Sequence, residues 1–273
     1  MTWNSCGFAS YFFNMRLMND FYPFLSASLY YFVVLSLSEI TRQLLLSRVK
    51  SSYWKAIILE FIGTAQICTC IFENAILIQY GVSIFFVGTA VLGFCFILLN
   101  RGANCTPLVP IEQLYFGEIS MSRGLSILFA QLLAGYFSYR IAFSIWLYTY
   151  DYLPIHAEFV NTPQCSLKYQ MNFVFVMLFE TCGTFAIRFV TSRLPKESSK
   201  YLAPAFMSSL FSFAILFVGD SALDPLVGST LFYGCTGLPT QYFILLYWIC
   251  PTIGWLSAAQ FDRTKTSSKK KKD

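Results

Sequence analysis

The sequence predicts an all-α membrane protein: a six-span inverted repeat with two re-entrant half-helices, plus one extra N-terminal hydrophobic helix. Three observations predict it: seven long apolar segments, two apolar pieces of about half that length, and a self-similarity at an offset of 120 residues. Composition agrees, because 56% of the 273 residues are hydrophobic and only 12% are charged, about half the charged share of a soluble domain. Aromatics reach 19%, with 29 Phe and 17 Tyr, which suits a lipid-facing surface with rings near the headgroups.

A helix that satisfies its own backbone needs about 20 apolar residues to cross a bilayer. The first apolar segment, 21–40, sits in an N-terminal segment 1–50 that lies outside the repeat. Its Ser-rich end with Glu39 leaves two readings, a span that places the N-terminus in a lumen or an interfacial helix. Ahead of it, Asn4, Asn14 and Arg16 are spread among aromatics with no small-residue cleavage site, so the N-terminus reads as retained rather than as a cleaved signal. The first repeat, 51–148, holds spans at 54–78, 82–99 and 125–148 and a half-length piece at 107–116. A connecting loop, 149–168, leads to the second, inverted repeat, 169–260, with spans at 169–190, 201–219 and 242–259 and a half-length piece at 225–233. Each short piece is about 10 residues, or roughly 15 Å of helix, and reaches halfway across. A basic tail, 261–273, closes the chain.

Basic residues in short loops stay on the cytoplasmic side. Arg42, Arg48 and Lys50 precede the second segment and Lys55 lies just inside it, whereas 74–81 carries no basic residue. Arg101 and Arg123 flank the first short piece, and 149–168 holds only Lys168. Arg188, Arg193, Lys196 and Lys200 then surround one short connection, 219–241 has none, and the tail brings Arg263, Lys265 and Lys269 to Lys272. The sides alternate as six spans require, with the C-terminus in the cytoplasm and 149–168 in the lumen.

The repeat shows in two landmarks. Glu60-Phe-Ile-Gly-Thr64 opens one span and Glu180-Thr-Cys-Gly-Thr184 opens another. Forty-four residues after each Glu, just ahead of a short piece, stand Asn104 and Asp224. Each copy contains three spans, an odd number, so the second enters the membrane upside down. The two half-helices then come from opposite faces and their N-termini meet near the midplane, where irregular backbone is tolerated only if it lines a cavity or is buried in protein. A pore along the repeat interface follows. Each N-terminus carries about half a positive charge, which repels cations while its N–H groups hydrogen-bond neutral polar solutes.

Enzyme chemistry finds no support. The lone His156 argues against His-based metal or triad chemistry, and no cluster of nucleophile, base and metal ligands appears, so catalytic residues, metal, cofactor and nucleic-acid partner are all expected to be none. Of the nine cysteines, most fall in apolar runs and read as small packing residues; Cys68 and Cys70, two apart, point to different sides of a helix.

The residues Glu60 to Gln66, Cys68-Thr-Cys70, Ala130-Gln-Leu132, Tyr247-Trp248 and Pro251-Thr-Ile-Gly254, together with the two opposed half-helices, resemble the aquaporin or major intrinsic protein family. Within it they look most like the divergent intracellular branch, the aquaporin eleven and twelve type or superaquaporins. The resemblance covers 55–259 and implies an aquaporin-like fold, a homotetramer, and two Asn-Pro-Ala boxes at the half-helix starts. Read at the 120-residue offset, the first box is Asn104-Cys105-Thr106, without the Pro, and the second is Asp224-Pro225-Leu226, without the Asn. Asp224 can cap its helix with Pro225 at the first position, but an ionised carboxylate has no N–H to offer a solute. Thr106 followed by Pro107 offers an alternative cap in the first box. Asn104-Cys-Thr106 also matches a glycosylation sequon, discounted at this depth. The filter position, where water-selective members carry Arg, is Val227, so the usual charge filter is absent. Cys235 occupies the place where this branch carries a cysteine, with a packing role preferred over a redox sensor.

Glu60 and Glu180 are intramembrane carboxylates expected to hold the re-entrant loop backbone rather than touch solute. Arg140 and Arg188 lie near span ends and are expected to snorkel; Glu73 and Glu112 either face the pore vestibule or pair locally. The tail, Lys270-Lys271-Lys272-Asp273, fits a dilysine pattern with Lys270 and Lys271 as the retention pair, which points to the endoplasmic reticulum or another intracellular membrane and to coat proteins as partners at the tail. Two functions stand side by side: a passive channel for water or small neutral solutes such as glycerol and hydrogen peroxide, and a non-conducting scaffold or regulator that keeps the fold.

Overall fold

A computed structural model describes residues 17–161 and 165–270. Its long helices are α1 (Leu17–Arg48), α2 (Ser52–Gln79), α3 (Val82–Leu99), α5 (Met121–Tyr148), α7 (Phe173–Thr191), α8 (Lys196–Phe217) and α11 (Cys250–Lys270), with short helices α4 (Leu108–Tyr115), α6 (Pro154–Asn161), α9 (Pro225–Phe232) and α10 (Thr240–Ile244). A π-helical turn, Leu245–Ile249, joins α10 to α11, so that Thr240–Thr264 forms one span. Among the described residues, seven helices are thus long and apolar enough to cross a membrane. Their outward faces carry large exposed side chains such as Leu29, Phe32, Phe129 and Val174, as a hydrocarbon solvent demands.

The helices run alternately between two faces. One face, here the basic face, carries the C-terminal ends of α1, α3, α7 and α11. The two halves share one plan. In the first, α2 packs on α5, where the Tyr53 hydroxyl donates to Ser126 Oγ at 2.8 Å and the Ser138 hydroxyl donates to the Ala65 carbonyl at 3.3 Å. In the second, α7 packs on α11. The halves meet along α3 and α8, where Thr89 and Ser208 share a hydrogen bond and the Ser208 hydroxyl also reaches the Phe86 carbonyl at 2.6 Å. Side-chain caps start α5 and α7: Ser120 accepts from Arg123 N and Asn172 from Val174 N.

Several elements differ from the sequence expectation. α1 continues to Arg48 instead of stopping near 40, because its polar end is paired: Arg42, fully buried, donates to Glu39 at 2.8 Å and to Gln66 on α2 at 3.0 Å. Arg101, just past α3, also binds Glu39. α1 lies antiparallel along α2, with the Tyr30 hydroxyl on the Thr69 carbonyl and the Tyr31 hydroxyl on Asn74. The connecting loop carries the unexpected α6, with Pro154 in its first turn and His156 tying it to the bundle. His156 bonds Glu73 Oε1 at 3.0 Å and Thr149 at 2.6 Å, while Trp146 Nε1 donates to Glu73 Oε2 at 3.1 Å, so Glu73 pairs locally.

Arg188 does not snorkel. Its guanidinium forks onto Glu112 of α4 with two bonds of 2.8 Å, and Trp255 adds a third donor to that carboxylate at 2.6 Å. Arginine presents five donors in a fixed plane, and a carboxylate one helix away satisfies them better than a distant headgroup. Arg140 is exposed and stacks over Tyr136 on its own helix. Lys270 closes α11, and Lys271 lies outside the described residues.

Candidate functional site

The two half-helices meet N-terminus to N-terminus, and each approach loop is held by one buried carboxylate. Glu60 on α2 accepts from Asn104 N (2.8 Å) and Asn104 Nδ2 (3.0 Å) with Oε1, and from Cys105 N (3.0 Å) and Gln131 Nε2 (2.9 Å) with Oε2. Glu180 on α7 accepts from Ser221 Oγ (2.7 Å) and Ala222 N (2.8 Å) with Oε1, and from Leu223 N (2.8 Å) with Oε2. Irregular backbone inside an apolar fold needs such acceptors, since hydrocarbon and apolar side chains offer none.

This geometry corrects the register of the first box. The paired N–H groups are Asn104 and Cys105 in one half and Ala222 and Leu223 in the other. Cys105 and Leu223 share a left-handed backbone, with φ of 56° and 52°. Each also sits against the glycine of its own E-x-x-G-T motif: a Cβ on Gly63 would come within 2.5 Å of Cys105 Sγ, and one on Gly183 within 2.5 Å of Leu223 Cδ2. Cys105 therefore corresponds to Leu223, and Thr106 to Asp224. The first box is Thr106-Pro107-Leu108 and keeps its proline; the residues read from sequence, Asn104-Cys105-Thr106, begin two positions early. The reason is that the first loop takes 46 residues from Glu60 to its box and the second 44 from Glu180, so the offset that aligns the glutamates misaligns the loops.

At the junction the Thr106 hydroxyl donates to Asp224 Oδ2. Asp224 Oδ1 caps α9, accepting from Leu226 N at 2.8 Å and Val227 N at 3.0 Å, with Pro225 in the first turn. Thr106 Oγ1 in turn accepts from Leu108 N at 3.3 Å, which makes it the cap of α4. Asn104 does not start the helix; it stands exposed on the approach loop, its amide tethered to Glu60. Leu108 and Leu226, each 2% exposed, anchor the half-helices in the core. Val227, one position on, packs against the cluster around Leu246 and Tyr247 and puts no charge near the junction. A cavity of about 1050 Å³ opens beside α9, lined by aromatic and apolar side chains such as Trp146, Leu226, Phe243 and Trp248 together with Arg140 and Asp220.

Cys235 has a partner that the packing assignment did not foresee: it forms a disulfide with Cys165, 70 residues away. Backbone pairing brings them together, with Leu167 N on Thr236 O and Thr236 N on Cys165 O, both at 2.9 Å. The connecting loop is thereby fastened to the far end of α9. Both cysteines lie outside the long apolar runs, but Cys6 and Cys105 do too, so position along the chain does not single out this pair. Among the described residues no group of three or more His, Cys, Asp or Glu is arranged to hold a metal.

No family model matches the chain. Among curated proteins, it is 36% identical over 255 residues to one named aquaporin-10 from Caenorhabditis elegans, covering 92% of this chain and 90% of the relative. It is 26% identical over 236 residues to aquaporin-11 of Milnesium tardigradum, covering 85% of each. Among solved structures it matches the aquaglyceroporin from Plasmodium falciparum with a TM-score of 0.59 at 17% identity, over 77% of this chain and 95% of that one.

Proposed function

The chain belongs to the aquaporin family, and from that membership we propose that it is a passive channel for water and small neutral solutes, glycerol and hydrogen peroxide among them, in the endoplasmic reticulum or another intracellular membrane. One observation carries the reading: two half-helices converge on a polar junction, Thr106 and Asp224, inside an apolar bundle, with Glu60 and Glu180 fixing the loops that lead there. Fixed polar groups let a solute exchange its water contacts for protein contacts, while the apolar surroundings keep each contact weak enough to leave. Val227 at the filter position favours solutes bulkier than water, because a short apolar side chain stands where a long cation would narrow the path.

The Cys165–Cys235 disulfide supports a lumenal position for that face, since such bonds persist in oxidising compartments. The basic face is then cytoplasmic, and the tail is within reach of coat proteins that read Lys270 and Lys271 as a retention pair. A homotetramer is proposed from the family resemblance; native mass spectrometry of the purified protein tests it. The second reading, a non-conducting scaffold or regulator, draws on the Thr106–Asp224 hydrogen bond itself, which joins the two half-helices across the centre. Stopped-flow swelling and peroxide uptake in proteoliposomes separate the two. Rates equal to empty vesicles for water, glycerol and peroxide alike would end the channel reading. Replacing Lys270 and Lys271 with Ser is expected to release the protein to later compartments, and unchanged reticular localisation would remove the retention claim.

A further inference from the structure

Two aligned helix N-termini contribute about half a positive charge each, so a junction of this kind carries close to one positive charge facing any permeating ion. That charge is a barrier to cations only if nothing compensates it. Here the residue closing the second half-helix is a carboxylate, and all of its contacts are of the kind that an ionised carboxylate makes. Asp224 Oδ1 takes the N–H groups of Leu226 and Val227, and Oδ2 takes the hydroxyl proton of Thr106. Three donors converge on it, and among the described residues it takes part in no ion pair. When ionised, its one negative charge lies directly on the two partial positive charges and offsets them.

Among the described residues no other positive group contacts Thr106 or Asp224; Arg140 lines the cavity beside α9, with its guanidinium stacked over Tyr136. Val227, the next position past the second box, is apolar. The buried guanidinium of Arg42 is turned away to Glu39 and Gln66. The other buried titratable groups at the loops, Glu60 and Glu180, are carboxyl groups and supply no cation. On the first half-helix the cap is Thr106, a neutral hydroxyl that can accept and pass on a proton.

We propose that this junction lacks a cation barrier and that the channel conducts protons along with its neutral solutes, with Asp224 as the residue that removes the barrier. The proposal rests on the channel reading above, and its test tells the two apart. The full-length protein is reconstituted in vesicles loaded with a pH-sensitive dye, a potassium gradient with valinomycin drives protons inward, and water flux is measured on the same vesicles by light scattering. The expected result is acidification faster than in empty vesicles, and a proton-to-water flux ratio that falls about tenfold or more in Asp224→Asn, where the neutral amide leaves the helix-end charge uncancelled. Val227→Arg, which places a fixed cation one position on without disturbing the cap, is expected to lower the ratio in the same direction and keeps the test open if the Asn variant fails to fold. Water movement with protons held at the empty-vesicle rate overturns the proposal and leaves the channel reading intact. Vesicles passing neither overturn both. A ratio unchanged in both variants removes Asp224 and the local charge as its cause.

Discussion

Replacing Glu180 with Gln isolates what the loop-holding carboxylates contribute. In the parent, Oε1 receives Ser221 Oγ and Ala222 N, and Oε2 receives Leu223 N at 2.8 Å. The amide keeps one oxygen for the first two donors but turns an NH₂ toward the Leu223 N–H, leaving two donors face to face. A buried N–H without an acceptor costs about 1–3 kcal/mol, and the two surviving bonds each lose roughly 0.5–1 kcal/mol when the acceptor is neutral. The sum is about 2–5 kcal/mol. Leu223 adds to the sensitivity, because its φ of 52° holds a left-handed backbone that disfavours a side chain by about 1–2 kcal/mol. Once its N–H is released, the loop relaxes toward ordinary backbone and Asp224 moves with it. Thermal unfolding of the detergent-solubilised protein, followed by tryptophan fluorescence, is expected to show a Tm lower by about 5 °C or more. Glu60→Gln is expected to cost more, since on either side its NH₂ faces a backbone N–H and the neighbouring side-chain amide, Asn104 or Gln131, must also turn over to accept from it. A Tm within about 1 °C of the parent for both variants, or the reverse order, would refute the reasoning.

The Cys165–Cys235 bond predicts that maleimide labelling of the denatured protein gains two sites on reduction; equal labelling before and after would exclude it. Arg188→Ala is expected to lower stability by about 2 kcal/mol, because Glu112 then lies partly buried with only Trp255 as donor, whereas Arg140→Ala, on an exposed side chain, is expected to change little; equal effects on denaturation midpoints count against the Glu112 latch. Gln66→Leu alone takes the acceptor from the buried Nη2 of Arg42, leaving Glu39 on Nη1 as its partner, and is expected to destabilise, while the double variant with Arg42→Met recovers most of the loss, and additive single effects in that cycle would show that α1 and α2 are not coupled through this pair.

The sequence by itself determined the architecture, because membrane solvent leaves few solutions. Long apolar runs must be helices, short runs beside them must be half-helices with buried ends, and an odd number of spans per repeat must invert the second copy. Glu60 and Glu180 were legible for the same reason: a carboxylate inside an apolar helix needs donors, and the only unsatisfied backbone nearby is the re-entrant loop. The box register was not legible. A two-residue difference in loop length is invisible until the N–H groups on each glutamate and the left-handed residues Cys105 and Leu223 are seen to correspond, and it moves the first box from Asn104 to Thr106. Nor were the long-range partners, Cys165 with Cys235, Arg188 with Glu112, Arg42 with Gln66. Each joins elements whose adjacency is set by how helices pack, and periodicity along the chain holds no record of it. The contact that matters most, Thr106 on Asp224, is of this kind: the chain supplies a hydroxyl and a carboxylate 118 residues apart, and only the opposed half-helices bring them together at the centre.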